Sequence, residues 1–215
     1  VMYRSALRKA KTVFFENEEN AQFFLHKTII SAQQMKVLPG SGINLDEYPY
    51  VPMQDDGVCS FLFVGRIMKE KGVDEFFAAA KTVKAEFGEK VAFDVVGFYE
   101  DAYKGTVDQL VADGVINFHG FQTDVHPFYE AADCVVLPSY HEGMSNVLLE
   151  GAATGRALIT SDIPGCREAV EDGVSGYLCP TKDADALCDA MRRFAELPEN
   201  RQAEMGRRGR TRMEQ

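Results

Sequence analysis

The sequence predicts an α/β fold built on a doubly wound parallel sheet, and two observations carry that expectation. First, short apolar runs alternate with longer stretches of helical period across residues 58–215. Second, the runs are apolar without interruption, as strands buried on both faces are. They read "VCSFLFVG" (58–65), "VAFDVVG" (91–97), "VINFHG" (115–120), "CVVLPS" (134–139), "ALITS" (157–161) and "GYLC" (176–179). Parallel neighbours need long, right-handed crossovers, which are usually helical. The sum is a Rossmann-like domain with helices on both faces of the sheet.

The elements follow in order. A helix is expected over 73–87, with Val73, Phe76, Phe77, Ala80, Val83 and Phe87 on one face. Those phenylalanines are therefore core residues. Further helices are expected at 103–113, 124–131, 146–154, 165–171, 183–196 and 198–213. Residues 1–39 stand apart, with a basic helix (1–11), a strand (12–15), a helix (18–27) and a short strand (35–38). The stretch "PGSGINLDEYPYVPMQDDG" then carries turn signals, including a tight turn at "GSG" (40–42). The expected organisation is the end of a preceding α/β domain (1–39), an interdomain linker (40–57) and the main domain (58–215). The opening "VMYRSALRKAKTVFF" and the ending "GRRGRTRMEQ" both read as cuts within a longer protein.

Composition bounds the function. A net charge of −10 argues against nucleic acid or an anionic membrane as the main partner. The arginines at 207, 208, 210 and 212 then read as a solvated helix face. The five cysteines (Cys59, Cys134, Cys166, Cys179, Cys188) are odd in number and form no C-x-x-C pair. They read as reduced thiols of a cytoplasmic protein. No apolar run reaches the roughly 18–20 residues that span a bilayer.

Ligands of such sheets bind beyond the carboxyl ends of the strands. The segments there are "GRIMKEKG", "GFYED", "GFQTD", "SYHEGMSN" and "SDIPG". Gly65, Gly97, Gly120 and Gly143 should cluster at this rim. Arg66 and Lys71 suit a diphosphate, unless they pair on the surface with Glu70, Asp74 or Glu75. A helix starting near Ser145 or Asn146 would turn its N-terminus to the same crevice, although either residue could simply cap it. Glu150, about one turn inside that helix, suits the vicinal hydroxyls of a ribose. Glu142, in the preceding turn, could reach a sugar beyond the phosphates. The alternative for both glutamates is capping or salt bridging. His141 is the one histidine kept as a candidate sugar contact.

Neither G-x-G-x-x-G nor G-x-x-x-x-G-K-[ST] is present. No D-x-D follows a strand, and no His/Asp cluster has ligand spacing, so no metal is expected.

The segments "LPGSGINLDEY", "FVGRIMKEKGVDEF" and "GFQTDVHPFYEAADCVVLPSYHEGMSNVLLEGAATGRALITSDIPGCREAVEDGVSGYLC" resemble retaining glycosyltransferases of the GT-B fold, family 4, also called group 1. The resemblance covers residues 35–210, and its most specific part is E-x7-E, Glu142 to Glu150. It implies that this half binds a nucleotide-diphosphate sugar, a uridine diphosphate sugar being expected. Arg66 and Lys71 would meet the diphosphate, Glu150 the ribose and Glu142 the donor sugar. The backbone of Gly143, Met144, Ser145 and Asn146 would approach sugar and phosphates, and the loops at Gly97 and Phe121 would hold the base. No cofactor or metal is implied. Transfer would go, with retention, to a glycan or lipid-linked acceptor bound mainly by a preceding domain, as in polysaccharide assembly at the inner face of a membrane. The chain alone would bind donor without turnover. Two other readings remain: a sugar-nucleotide epimerase of similar fold, and a non-catalytic nucleotide- or partner-binding domain.

Overall fold

Six parallel strands form the main sheet of the computed structural model, which describes residues 2–38, 42–54 and 56–215. They are β3 (Cys59–Val64), β4 (Val91–Val96), β5 (Asn117–Gly120), β6 (Cys134–Leu137), β7 (Ala157–Ser161) and β8 (Gly176–Cys179). Their spatial order is β5-β4-β3-β6-β7-β8. The chain thus winds outward from β3, returns through α5 (His126–Ala131), and winds out the other way from β6. The reversal lies between β3 and β6, where Phe61 pairs with Cys134 and Leu62 with Val135. Loops leaving two neighbouring strands in opposite directions open a crevice at that point.

Side-chain alternation distributes the core over two faces. On one, Phe61 stacks on Phe93 at 5.2 Å and meets Phe194 of α7 (Ala184–Ala195) edge-on at 5.9 Å. Phe63 meets Phe76 of α3 (Val73–Phe87) at 5.2 Å on the same face. On the other, Leu62 and Asp94 face Phe128 and Ala131 of α5. There α5 and α8 (Glu199–Met213) pack against α6 (Asn146–Thr154). α4 (Lys104–Ala112) packs against β5.

Residues 2–38 form a smaller unit with its own core of Phe15, Ala21 and Ile30. It contains α1 (Met2–Leu7), β1 (Val13–Phe15), α2 (Glu18–His26) and β2 (Met35–Val37), with β1 and β2 paired in parallel. Residues 42–54 do not hang loose between the units. Val51 N–H donates to the Thr154 carbonyl at 3.1 Å, and buried Arg156 donates to the Val51 carbonyl. Tyr48 is buried in the main core.

Several expectations need correction. The helix expected at 165–171 is a single 3-10 turn, Arg167–Ala169. The helix expected at 1–11 ends at Leu7. The turn expected at "GSG" falls partly on residues 40 and 41, outside the described residues. The terminal arginines are not all solvated: Arg210 donates to the carbonyls of Tyr48 (2.8 Å) and Ala153 (2.7 Å).

Candidate functional site

The loops at the carboxyl edge are set by glycines that let backbones touch. Gly97, at φ 144°, leaves no room for a Cβ, which would run into the Gly65 carbonyl oxygen. Its N–H donates to the Gly120 carbonyl at 2.8 Å, so the ends of β3, β4 and β5 meet at one rim. Gly72, at φ 68°, closes the 3-10 turn Lys69–Lys71 against the Pro138 carbonyl. That contact brings Lys71 beside the loop after β6.

Lys71 Nζ lies 2.6 Å from Glu142 Oε1, and Ser139 Oγ donates to the same oxygen at 2.7 Å. Glu142 is largely buried, with 12% of its side chain exposed, so the pair is not a loose surface contact. Lys71 therefore pairs across the crevice with Glu142, not with Glu70, Asp74 or Glu75. For Glu142, the salt-bridging alternative is the arrangement seen.

Arg66 is exposed and does not join that pair. Its guanidinium lies 5.5 Å from the centre of the Phe98 ring, in cation–π range. Phe98 and Phe121 are both more than half exposed, and their rings sit 6.4 Å apart. An exposed aromatic pair beside a cation can take a flat ring by stacking.

α6 starts in the same crevice. Ser145 holds its N-cap position, but its side chain makes no capping hydrogen bond. The Ser145 N–H donates to the Gly165 carbonyl at 2.9 Å. Gly165, at φ 86°, sits so close that a Cβ would lie 2.5 Å from Gly143 O and 2.8 Å from Glu142 O. The turn after β7 thus braces the Glu142–Gly143 loop. The small unit braces it from the other side: Asn17 Nδ2 donates to the Gly143 carbonyl at 2.9 Å. Beside this contact, Glu16, Asn17, Val37, Met144, Leu149 and Arg212 line a cavity of about 620 Å³.

Glu150 forms a third cluster. Tyr129, fully buried, donates its hydroxyl to Glu150 Oε2 at 2.8 Å, and the Tyr48 phenol lies near the same carboxylate. Burial raises the Glu150 pKa, while the two phenols act against it. His141 is exposed.

The structure thus joins Lys71 with Glu142, sets Arg66 beside Phe98, and sets Glu150 on Tyr129. Sequence reasoning missed Ser139, Phe98, Tyr48, Tyr129 and Asn17. A buried glutamate inside an apolar helix needs polar company, which was the signal for the tyrosines. Among the described residues, no cluster of three His, Cys, Asp or Glu could hold a metal, and no helix is long and apolar enough to cross a membrane.

The strand order and the charged loops beyond the switch point define a doubly wound α/β class of protein. The sequence profile described as Glycosyl transferases group 1 matches residues 59–196, and the chain belongs to that family. It is 27% identical over 200 residues to N,N'-diacetylbacillosaminyl-diphospho-undecaprenol alpha-1,3-N-acetylgalactosaminyltransferase of Campylobacter jejuni, covering 87% of this chain and 52% of the relative. It is 31% identical over 165 residues to a glycogen synthase of Mycobacterium tuberculosis, covering 74% of this chain and 39% of that enzyme. The chain therefore spans about half, or less, of these relatives. In structure it matches an S. aureus TarM variant in complex with Fondaparinux, alpha-GlcNAc-glycerol and UDP. The TM-score is 0.83 at 18% identity, over 97% of this chain and 41% of TarM. The fold is GT-B in type.

Proposed function

We propose that this chain supplies the donor-binding face of a glycosyltransferase that uses a nucleotide-diphosphate sugar. One observation carries the reading: the Arg66–Lys71 turn and the Glu142–Asn146 loop converge at the β3/β6 switch point and are clasped by Lys71 and Glu142. In this reading Arg66 and Lys71 meet the diphosphate, with the start of α6 behind them. Cations fixed where the leaving diphosphate gains charge stabilise its departure, and no metal is needed for that. Glu150 takes the ribose hydroxyls, and Glu142 faces the donor sugar. Phe98 joins Phe121 and Gly97 around the base. The UDP in the TarM complex supports a uridine diphosphate sugar as donor. The C. jejuni relative's name supports a lipid-diphosphate acceptor, and action at the inner face of a membrane is part of the same proposal. Hexosyl transfer with retention belongs to the same proposal.

Residues 2–38 are read as the edge of the acceptor-binding domain, and the 215 residues are expected to bind donor without turnover. Catalysis needs an acceptor held in line with the donor.

A thermal-shift panel with UDP, GDP, ADP and NAD, on wild type and Glu150→Ala, tests the reading. A nucleotide at about 100 times its Kd should stabilise the fold by about 2.7 kcal/mol. Stabilisation by a nucleoside diphosphate, weakened in Glu150→Ala, is expected. A response to NAD alone overturns the proposal.

A further inference from the structure

Glu150 carries more protein contacts than a carboxylate waiting for ligand requires. Tyr129 is fully buried among apolar neighbours, where phenylalanine would pack as well. Its hydroxyl needs a partner there, and Glu150 Oε2, at 2.8 Å, is that partner. Tyr48 reaches the same carboxylate from the segment between the two units. Tyr48 is fixed at two points: its ring stacks on His126 at 4.5 Å, and its carbonyl accepts from Arg210 at 2.8 Å. His126 is itself held by Asp124 at 2.7 Å.

We propose that Tyr129 is a positioning residue, whose hydroxyl fixes the Glu150 carboxylate to receive the two hydroxyls of a ribose, with Tyr48 packed beside it; this deepens, and rests on, the donor-site reading above. A carboxylate has about four acceptor positions. The Tyr129 hydroxyl occupies one, leaving others for a diol. Tyr48 brings the connecting segment beside this carboxylate.

The groups facing Glu150 are Tyr129 and His126 from α5, and Tyr48 and Glu47 from the connecting segment. Burial raises its pKa, and the two phenols offset part of that rise. Removing either hydroxyl should therefore let the carboxyl protonate at higher pH.

The test is calorimetric titration of the 215-residue protein with UDP and with 2′,3′-dideoxy-UDP, in wild type, Tyr48→Phe and Tyr129→Phe. Wild type should prefer UDP by at least about tenfold, since hydrogen bonds to a charged group are strong. Tyr129→Phe should lower that preference at least threefold, roughly the loss of one weak hydrogen bond, and Tyr48→Phe should lower it less. Affinity for the dideoxy nucleotide should be unchanged. On acidification, the preference should fade at higher pH in the variants, with the dideoxy nucleotide correcting for protonation of the phosphates. Melting temperatures of the three proteins show that folding is intact. Equal weakening of both nucleotides, or an unaltered preference, overturns the proposal and makes the tyrosines structural. UDP binding without any ribose preference in wild type also overturns it, while leaving the donor site standing. No binding of either nucleotide overturns both.

Discussion

Lys71 Nζ lies 2.6 Å from Glu142 Oε1, joining the turn after β3 to the loop after β6 across the switch point of the sheet. The contact neutralises a cation assigned to the diphosphate with a carboxylate assigned to the sugar. The two roles therefore separate on mutation. Glu142→Gln should tighten UDP binding by about two- to fivefold, because a negative charge leaves the crevice and Lys71 is released. Binding of a UDP-sugar should not gain in the same variant, since the sugar loses its carboxylate partner. Titration of both ligands against both proteins checks the split.

Gly97 has no room for a side chain, because its α-carbon sits against the Gly65 carbonyl at φ 144°. Gly97→Ala should destabilise the protein by about 2–4 kcal/mol and lower Tm by about 5–15 °C. Gly105, with open space around it, is the control, and its alanine variant should keep the wild-type Tm within about 2 °C. Differential scanning calorimetry reads both.

Asn17 serves both units: its Oδ1 caps α2 by accepting from Asn20 N–H, and its Nδ2 holds the Gly143 carbonyl. Asn17→Ala removes a cap and a buried contact, together worth about 1–2 kcal/mol. Hydrogen exchange should quicken in residues 13–37 and around Gly143, with β3, β6 and β7 unaltered.

Asp133 is buried beside Arg156, accepts from Ser60 N–H at 2.7 Å, and has its pKa raised by burial to about 6. Unfolded, the same carboxyl titrates near about 3.9. Folding thus favours the protonated form. Its stability contribution is complete below the unfolded value and is lost as pH rises through about 6. The loss is on the order of 3 kcal/mol, at about 1.4 kcal/mol per unit. Asp133→Asn removes this loss, so stability relative to wild type should rise between pH 4 and 7 in urea titrations. Parallel pH profiles would refute the assignment.

Much of the fold was legible because strand burial and helical period are written in single side chains. α3 runs from Val73 to Phe87 as its apolar stripe indicates, and α6 spans Asn146–Thr154 as expected. The segment 165–171 failed for a physical reason. Cys166, Ala169 and Val170 are buried at helical spacing, which imitates a helix face. What governs the segment is Gly165, held in the left-handed region against the Glu142–Gly143 backbone. A close approach between distant backbones leaves no periodicity to read. The site divided in the same way. Residue types at strand ends pointed to Arg66, Lys71, Glu142 and Glu150. The Lys71–Glu142 pairing and the Tyr129–Glu150 bond depend on contacts across 71 and 21 positions of chain, which only folding brings together.

In the proposed reading, this rim holds a nucleoside diphosphate by its phosphates, on Arg66 and Lys71. The most direct measurement is calorimetric titration of uridine, UMP and UDP against wild type and the Arg66→Ala/Lys71→Ala double variant. Wild-type affinity should rise steeply from uridine to UDP, about tenfold or more per phosphate, and the series should be nearly flat in the variant. A flat series in wild type, or a steep one that survives loss of both cations, would contradict that reading.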